Sequence, residues 1–385
     1  MMKTRLLILS LAVIAGFAGF AAAQNEKFER VLTEADSIRS ALAINPDILI
    51  QSQNIDMAQQ RINEAHSLYL PRIDVNFNLS KFESHQDMVL YGQSVPAPVF
   101  LPSGIQKYYF ATRVAVWQDL YSGGRVRTTN KLAEINMQKV RNDEVMVKNR
   151  VIFEVKTAFN SSLYFKELIK FYKTKPQTQE VKNKIEMAEL NFSKELLGLL
   201  SAVGLELDTI ADVTGDFTAR IVNIDLNKSL LLAYRYKPEI QMAQYRETVD
   251  SLSANLLSQR KYPVVSLGAA QEWTGEQILS DASNWYLMVN VNIPVFDGGG
   301  MLARARQGSI QARNTALERS KTEDAVRLEV SRAFLEYSFW KRKALERNLM
   351  NKKTGFNEEE LEIIYNLNRS YFSLELAVGV QLDSY

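Results

Sequence analysis

Residues whose types and spacing suit chemistry are sparse in this 385-residue chain. Two glycine clusters stand out, Gly123-Gly124 and Gly298-Gly299-Gly300. Clustered glycines cradle phosphates when spaced GxGxxG, or GxxxxGK before Ser or Thr, and neither cluster has that spacing. Both read instead as sharp strand-to-helix turns. His66 and His85 are the only imidazoles, and neither has a second histidine at metal-ligand spacing. The absence of cysteine excludes disulfides, thiolate metal sites and a lipid-modified N-terminal cysteine. No nucleophile–base pair is evident, so the residues argue against an enzyme and imply no cofactor and no metal. The remaining polar chemistry lies on strands. Arg113, Asn290 and Asn292 alternate with apolar neighbours and are expected to face a wet lumen. Tyr108, Tyr109, Trp273, Trp285 and Tyr286 cluster at strand ends, where the aromatic girdles of membrane interfaces sit.

Four strands must carry these residues. In the stretch 285–293 Leu287, Val289, Val291 and Ile293 share one face, and Tyr286, Met288, Asn290 and Asn292 share the other. The same period of two runs through 73–79, 107–121 and 264–273. One greasy face and one polar face fit a strand with lipid on one side and water on the other. The polar, proline-containing segment 83–106 is too long for a tight hairpin, which matches the long outer loops of outer-membrane barrels.

The rest of the chain is helical in pattern. Ile48, Ile55, Ala58, Ile62, Ala65 and Tyr69 form a narrow stripe of the coiled-coil kind between Pro46 and Pro71. Gly124 releases a helix over 126–172 that ends near Pro176, and a second helix follows over 180–200. From Met301 to Leu367 breakers are few, giving a rod of roughly 100 Å at about 1.5 Å per residue. At the N-terminus, Lys3 and Arg5 precede an apolar run over 6–20 and Ala21-Ala22-Ala23, the layout of a secretory signal cleaved after Ala23. No later stretch is apolar for long enough to span a membrane as a helix. Basic residues exceed acidic ones by two, 46 against 44, so the charge gives no argument for nucleic acid.

The chain is a duplication. Ala233, Pro238, Ile240 and Pro263 follow Ala41, Pro46, Ile48 and Pro71 at an offset of 192. From the glycines onward the offset is 175, and Val151, Val155, Ala158, Phe159 and Phe165 map onto Val326, Val330, Ala333, Phe334 and Trp340. The predicted organisation is a signal segment over 1–23, a first repeat over 24–215 and a second over 216–385. Four strands cannot close a barrel, and an open sheet edge in lipid leaves backbone groups unpaired at several kcal/mol each. Several chains must pool their strands, and three would give about twelve, an even number within the known range.

These features resemble the TolC-type outer-membrane efflux proteins. The likeness rests on Asn-Pro-Asp-Ile at 45–48 and Lys-Pro-Glu-Ile at 237–240, the prolines at 71 and 263, and LYSGGR and VFDGGG at 120–125 and 295–300. It implies a mainly α fold with a membrane β portion. In that fold, four β-strands per protomer enter a trimeric twelve-stranded barrel, and long coiled-coil-like helices form an α-helical tunnel in the periplasm. It also implies passive export of small molecules or proteins in a tripartite efflux or type I secretion system. The partners would be two further copies, outer-membrane lipid, a periplasmic adaptor protein and an inner-membrane pump of RND or ABC type. Two departures are expected: a shortened first hairpin, and a second repeat whose returning helix is missing. The segment 365–376 then reads as the helical tip, with Asn368, Arg369 and Ser370 facing an adaptor. That expected loss leaves open a truncated, non-conducting paralogue with an envelope structural role. A soluble periplasmic coiled-coil scaffold is disfavoured by the four alternating strands.

Overall fold

The computed structural model describes residues 30–382 except 85–87, 91–98, 102–104, 276–282 and 353. The expected signal segment and His85 lie outside these. Strand β1 (Arg30–Leu32) leads into α1 (Glu34–Ile44) and α2 (Pro46–Ser67), then β2 (Arg72–Ser84), β3 (Met88–Leu90), β4 (Val99–Leu101) and β5 (Ile105–Tyr121). Helices α3 (Arg125–Lys173) and α4 (Gln179–Val203) close the first repeat, and β6 (Ala211–Val213) pairs back onto β1. The second repeat is α5 (Leu226–Tyr236), α6 (Pro238–Ser258), β7 (Val264–Gly275), β8 (Ser283–Asn292), α7 (Gly300–Glu346) and α8 (Glu358–Val378).

All four predicted strands form, and they pair in the order β2-β5-β7-β8, antiparallel throughout. Each strand continues into a helix, and the helices keep the same order: α2 packs on α3, α3 on α6 and α6 on α7. Where β5 and β8 end, two successive glycines take the left-handed region, Gly123 and Gly124 at φ 64° and 83°, Gly298 and Gly299 at 67° and 86°. A Cβ on Gly123 would come within 2.5 Å of that of Tyr262, so the chain has no room for a side chain there. The turn into each helix is then capped, by Ser122 Oγ accepting from the Val126 amide and by Asp297 accepting from the Met301 amide.

The returning helix that the sequence reading found missing is α8. Its first turn meets the end of α7 through Arg347–Glu359 at 2.6 Å, and the end of α3 through Tyr172, which donates to Glu358 at 2.7 Å. Its last turn reaches back to Lys156 and Asn149 in the middle of α3. The rod predicted over 301–367 therefore breaks at 347–357, where Asn348 and Gly355 both have positive φ. Asn357 and Glu360 then form a reciprocal capping box that starts α8. The expected shortening of the first hairpin alone also gives way to symmetry. The hairpins have helices of 49 and 25 residues in one repeat and 47 and 21 in the other. At about 1.5 Å per residue the long helices are roughly 70 Å.

Both returning helices end against the start of another helix. Gly204 (φ 86°) closes α4 on the Asn45-Pro46 start of α2, and Gly379 (φ 84°) closes α8 on the Lys237-Pro238 start of α6. These glycines are themselves 175 residues apart, so the repeat holds through the return. The cap residue ties each joint: Asn45 donates to the Ala202 carbonyl at 2.8 Å, and buried Lys237 reaches the Leu376 carbonyl at 3.5 Å and Glu329 at 2.8 Å. The protomer is thus four staves: α2 with α4, α3, α6 with α8, and α7.

The core sits at this level, between the hairpins and the sheet. Val151 and Val155 of α3 and Val326 and Val330 of α7 are all buried, as are Leu199, Leu200 and Val203 of α4 and Leu367, Leu374 and Val378 of α8. Tyr337 staples the β6–α5 linker by accepting from the Val222 amide at 2.7 Å and donating to its carbonyl at 3.0 Å. Inside this core lies an ion pair, Lys156–Glu375 at 2.6 Å, with side chains 5% and 8% exposed. The repeat-related positions are Ser331 and Leu200. Breaking a buried pair strands a charge, whereas replacing both members with packed apolar groups does not. Lys156→Met is expected to lower stability by about 3–5 kcal/mol, and Lys156→Met with Glu375→Leu to recover most of it, measured by denaturant unfolding followed by circular dichroism.

Candidate functional site: the two faces of the sheet

Strand register decides which residues share a surface. Ile73, Val75, Phe77 and Leu79 of β2 lie opposite Val116, Val114, Thr112 and Phe110 of β5. The same row continues through Ala269, Gln271 and Trp273 of β7 to Leu287 and Trp285 of β8. Ile73 and Val75 are 67% and 69% exposed, Leu287 and Val289 64% and 62%. An uncovered apolar surface this broad marks contact with lipid or another chain.

The opposite face is polar. Asn76, Arg113, Glu272 and Asn284 form one row across all four strands, with Asp74 and Asn78 flanking it on β2. Asn290 and Asn292 lie on this face nearer the helices, opposite Ser266 and Val264. The three lumen candidates therefore share one surface, Arg113 half-buried and the two asparagines exposed. Arg113 lies between two rings on that face, its guanidinium carbon 5.9 Å from the Trp117 centroid and 5.6 Å from that of Tyr286. Trp117 in turn lies across Gly268, where a Cβ would meet the indole at 2.5 Å. Glu272, which the sequence reading passed over, is 3% exposed and directly opposite Arg113. The signal that would have found it is parity, since it alternates with Gln271 and Trp273 as Arg113 does with Thr112 and Val114.

The aromatic candidates divide between the faces. By register Tyr108, Trp273 and Trp285 fall on the apolar face, at the end of the sheet away from the helices. Tyr109 and Tyr286 fall on the polar one. Gly123, Gly124, Gly298 and Gly299 form the strand-to-helix turns, and Gly300 is the first residue of α7. The tip assignment is corrected. Asn368, Arg369 and Ser370 lie in the middle of α8, and Asn368 and Ser370 are 3% and 1% exposed. Asn368 donates to Asn160 and to the Thr218 carbonyl and accepts from the Arg220 amide, so it ties three segments of the core. His66 is exposed on the last turn of α2. Among the described residues no group of His, Asp and Glu side chains is placed to hold a metal ion, and no helix is long and apolar enough to cross a membrane.

Beside the staves runs a groove of about 590 Å³ lined by α2, α3, α6, α7 and α8, including Asn54, Met57, Asp143, Met146 and Leu376. Burial raises the Asp143 carboxyl above its ordinary range, opposed by the nearby charges of Lys139 and Arg246.

The sheet is thus apolar on one face and polar on the other, and it continues strand by strand into helical staves. A family model described as outer membrane efflux protein matches residues 37–188. Among solved structures, CusC aligns with a TM-score of 0.67 at 14% identity, over 94% of this chain and 96% of that one. The outer-membrane channel OprN aligns with a TM-score of 0.68 at 13% identity, over 90% and 89%. The CmeC outer-membrane channel of Campylobacter jejuni aligns with a TM-score of 0.61 at 14% identity, over 94% and 91%. Among curated protein sequences there is no match. Residues 37–188 thus resemble the outer membrane efflux proteins, and the chain shares the fold of these solved channels.

Two outcomes follow from these side chains. Arg113→Glu is expected to shift the reversal potential of reconstituted channels toward cation selectivity, read in planar bilayers under a salt gradient. The Asp143 carboxyl, raised above its unfolded value, holds its proton more tightly in the folded chain. Ionisation then costs stability above the ordinary Asp range of about 3.9. Asp143→Asn is expected to be more stable than the parent at neutral pH, with the gap closing as pH falls below that range in denaturant titrations.

Proposed function

We propose that three copies of this chain close a twelve-stranded barrel and a helical tunnel that passively conducts solutes out of the periplasm. The carrying observation is the pair of unfinished edges on the protomer. β2 and β8 are the outer strands of the sheet, and each runs into an outer stave. Those staves are apolar where a neighbour would sit. On α7 Ile310, Leu317, Leu328, Leu335 and Phe339 are exposed at helical spacing, and on α2 and α4 Ile50, Met187, Leu190 and Leu197 are exposed. Joining β8 and α7 of one copy to β2, α2 and α4 of the next satisfies backbone and side chains together.

In this reading the energy for transport comes from a partner, as the family likeness implies. By family likeness an adaptor and an inner-membrane pump of RND or ABC type dock at the hairpin ends near 174–178 and 347–357. The same geometry serves a tripartite efflux or a type I secretion system. The rival reading, an inert truncated paralogue, loses its motive with the finding of α8.

Leu317→Glu with Leu335→Glu is expected to leave the protomer folded by circular dichroism but to abolish the trimer on native gels in detergent, because both side chains are exposed in the single chain. A wild-type chain that runs as a monomer would sink the assembly. Failure to restore drug resistance to a strain lacking its own outer-membrane channel would sink the transport role.

A further inference from the structure

We propose that the periplasmic rim of the sheet is a docking surface for the headgroups of anionic phospholipids, a reading that rests on the membrane placement given above. Four segments cross this rim, 68–74, 117–127, 259–266 and 292–306. Together they hold seven Arg and Lys against three Asp, an excess of four where the whole chain has an excess of two. Two of the seven are neutralised locally, Arg72 by Asp74 at 2.8 Å and Arg304 by Asp297 at 2.9 Å. Arg127, Arg260 and Arg306 are exposed, and no ion pair to them occurs among the described residues. Lys261 is exposed above the ring of Tyr262, 5.2 Å from its centroid.

An uncovered apolar and aromatic band lies at the same rim, with Leu70, Tyr121, Tyr262 and Phe296 exposed, Phe296 by 86%. Apolar and aromatic side chains at the acyl boundary, with arginine and lysine just beyond them in water, match the two zones of a lipid leaflet. Each base close to an anionic surface adds an attraction that fades beyond a Debye length and weakens with salt. Zwitterionic headgroups offer no such field. The ligand chemistry is therefore a phosphate-bearing lipid of net negative charge.

The test is native mass spectrometry of the detergent-solubilised full chain, titrated separately with phosphatidylglycerol and phosphatidylcholine. The wild type is expected to retain several-fold more of the anionic lipid, with the preference falling as sodium chloride rises. Arg127→Gln with Arg260→Gln and Lys261→Gln is expected to erase the preference at unchanged oligomeric state. The charge-preserving set Arg127→Lys, Arg260→Lys and Lys261→Arg is expected to keep it. Equal retention of the two lipids by the wild type, or undiminished preference in the glutamine set, overturns the proposal. So does displacement of the lipid by equimolar inorganic phosphate, which would mark a bare anion site. A chain that stays soluble without detergent fails the channel reading instead, and that result is visible before any lipid is added.

Discussion

The peptide groups along the free sides of β2 and β8 set the terms for the whole molecule. In water a sheet edge is a manageable liability, but in hydrocarbon each unpaired amide or carbonyl costs several kcal/mol. Four strands with two open edges cannot satisfy that demand alone. Because every strand runs directly into a helix, the demand is handed on to the staves, which have the same order and the same two unfinished sides. The open edges of the sheet thereby set the lateral arrangement of the helices beside it.

Below the sheet, duplication supplies regularity and the exceptions supply identity. The two glycine turns, the two helix joints and the valine pairs of α3 and α7 are copies of one another. The buried Lys156–Glu375 pair and the Asn160–Asn368 contact are not. Both exceptions tie α3 of the first repeat to α8 of the second, so the asymmetric polar contacts are the ones that fix how the halves meet.

Much of this was legible in the residues. Alternation of apolar and polar side chains found all four strands, because a half-buried strand obeys a period of two with no tertiary help. The strand-to-helix turns were legible because only glycine tolerates two successive left-handed residues there. The return of the second repeat was not recognised, for a physical reason. The break at 347–357 contains no proline and depends on Asn348 and Gly355 taking positive φ, a weak local signal. Two better signals were present: the Asn357–Glu360 capping box, and Ala-Val-Gly at 202–204 recurring at 377–379. The contact of Arg113 with Glu272 was illegible in another way. It joins strands from different repeats, and their register is set by pairing that a linear pattern does not encode.

The end-to-end joints at Gly204 and Gly379 have one more consequence. A stave built as two helices butted together is a spliced beam, while its neighbour is a single unbroken one. Residues added or lost on the far side of the splice, together with matching turns of the long helix, change the reach of the staves without disturbing the sheet. The length of the staves is thus adjustable by whole helical turns, independently of the sheet.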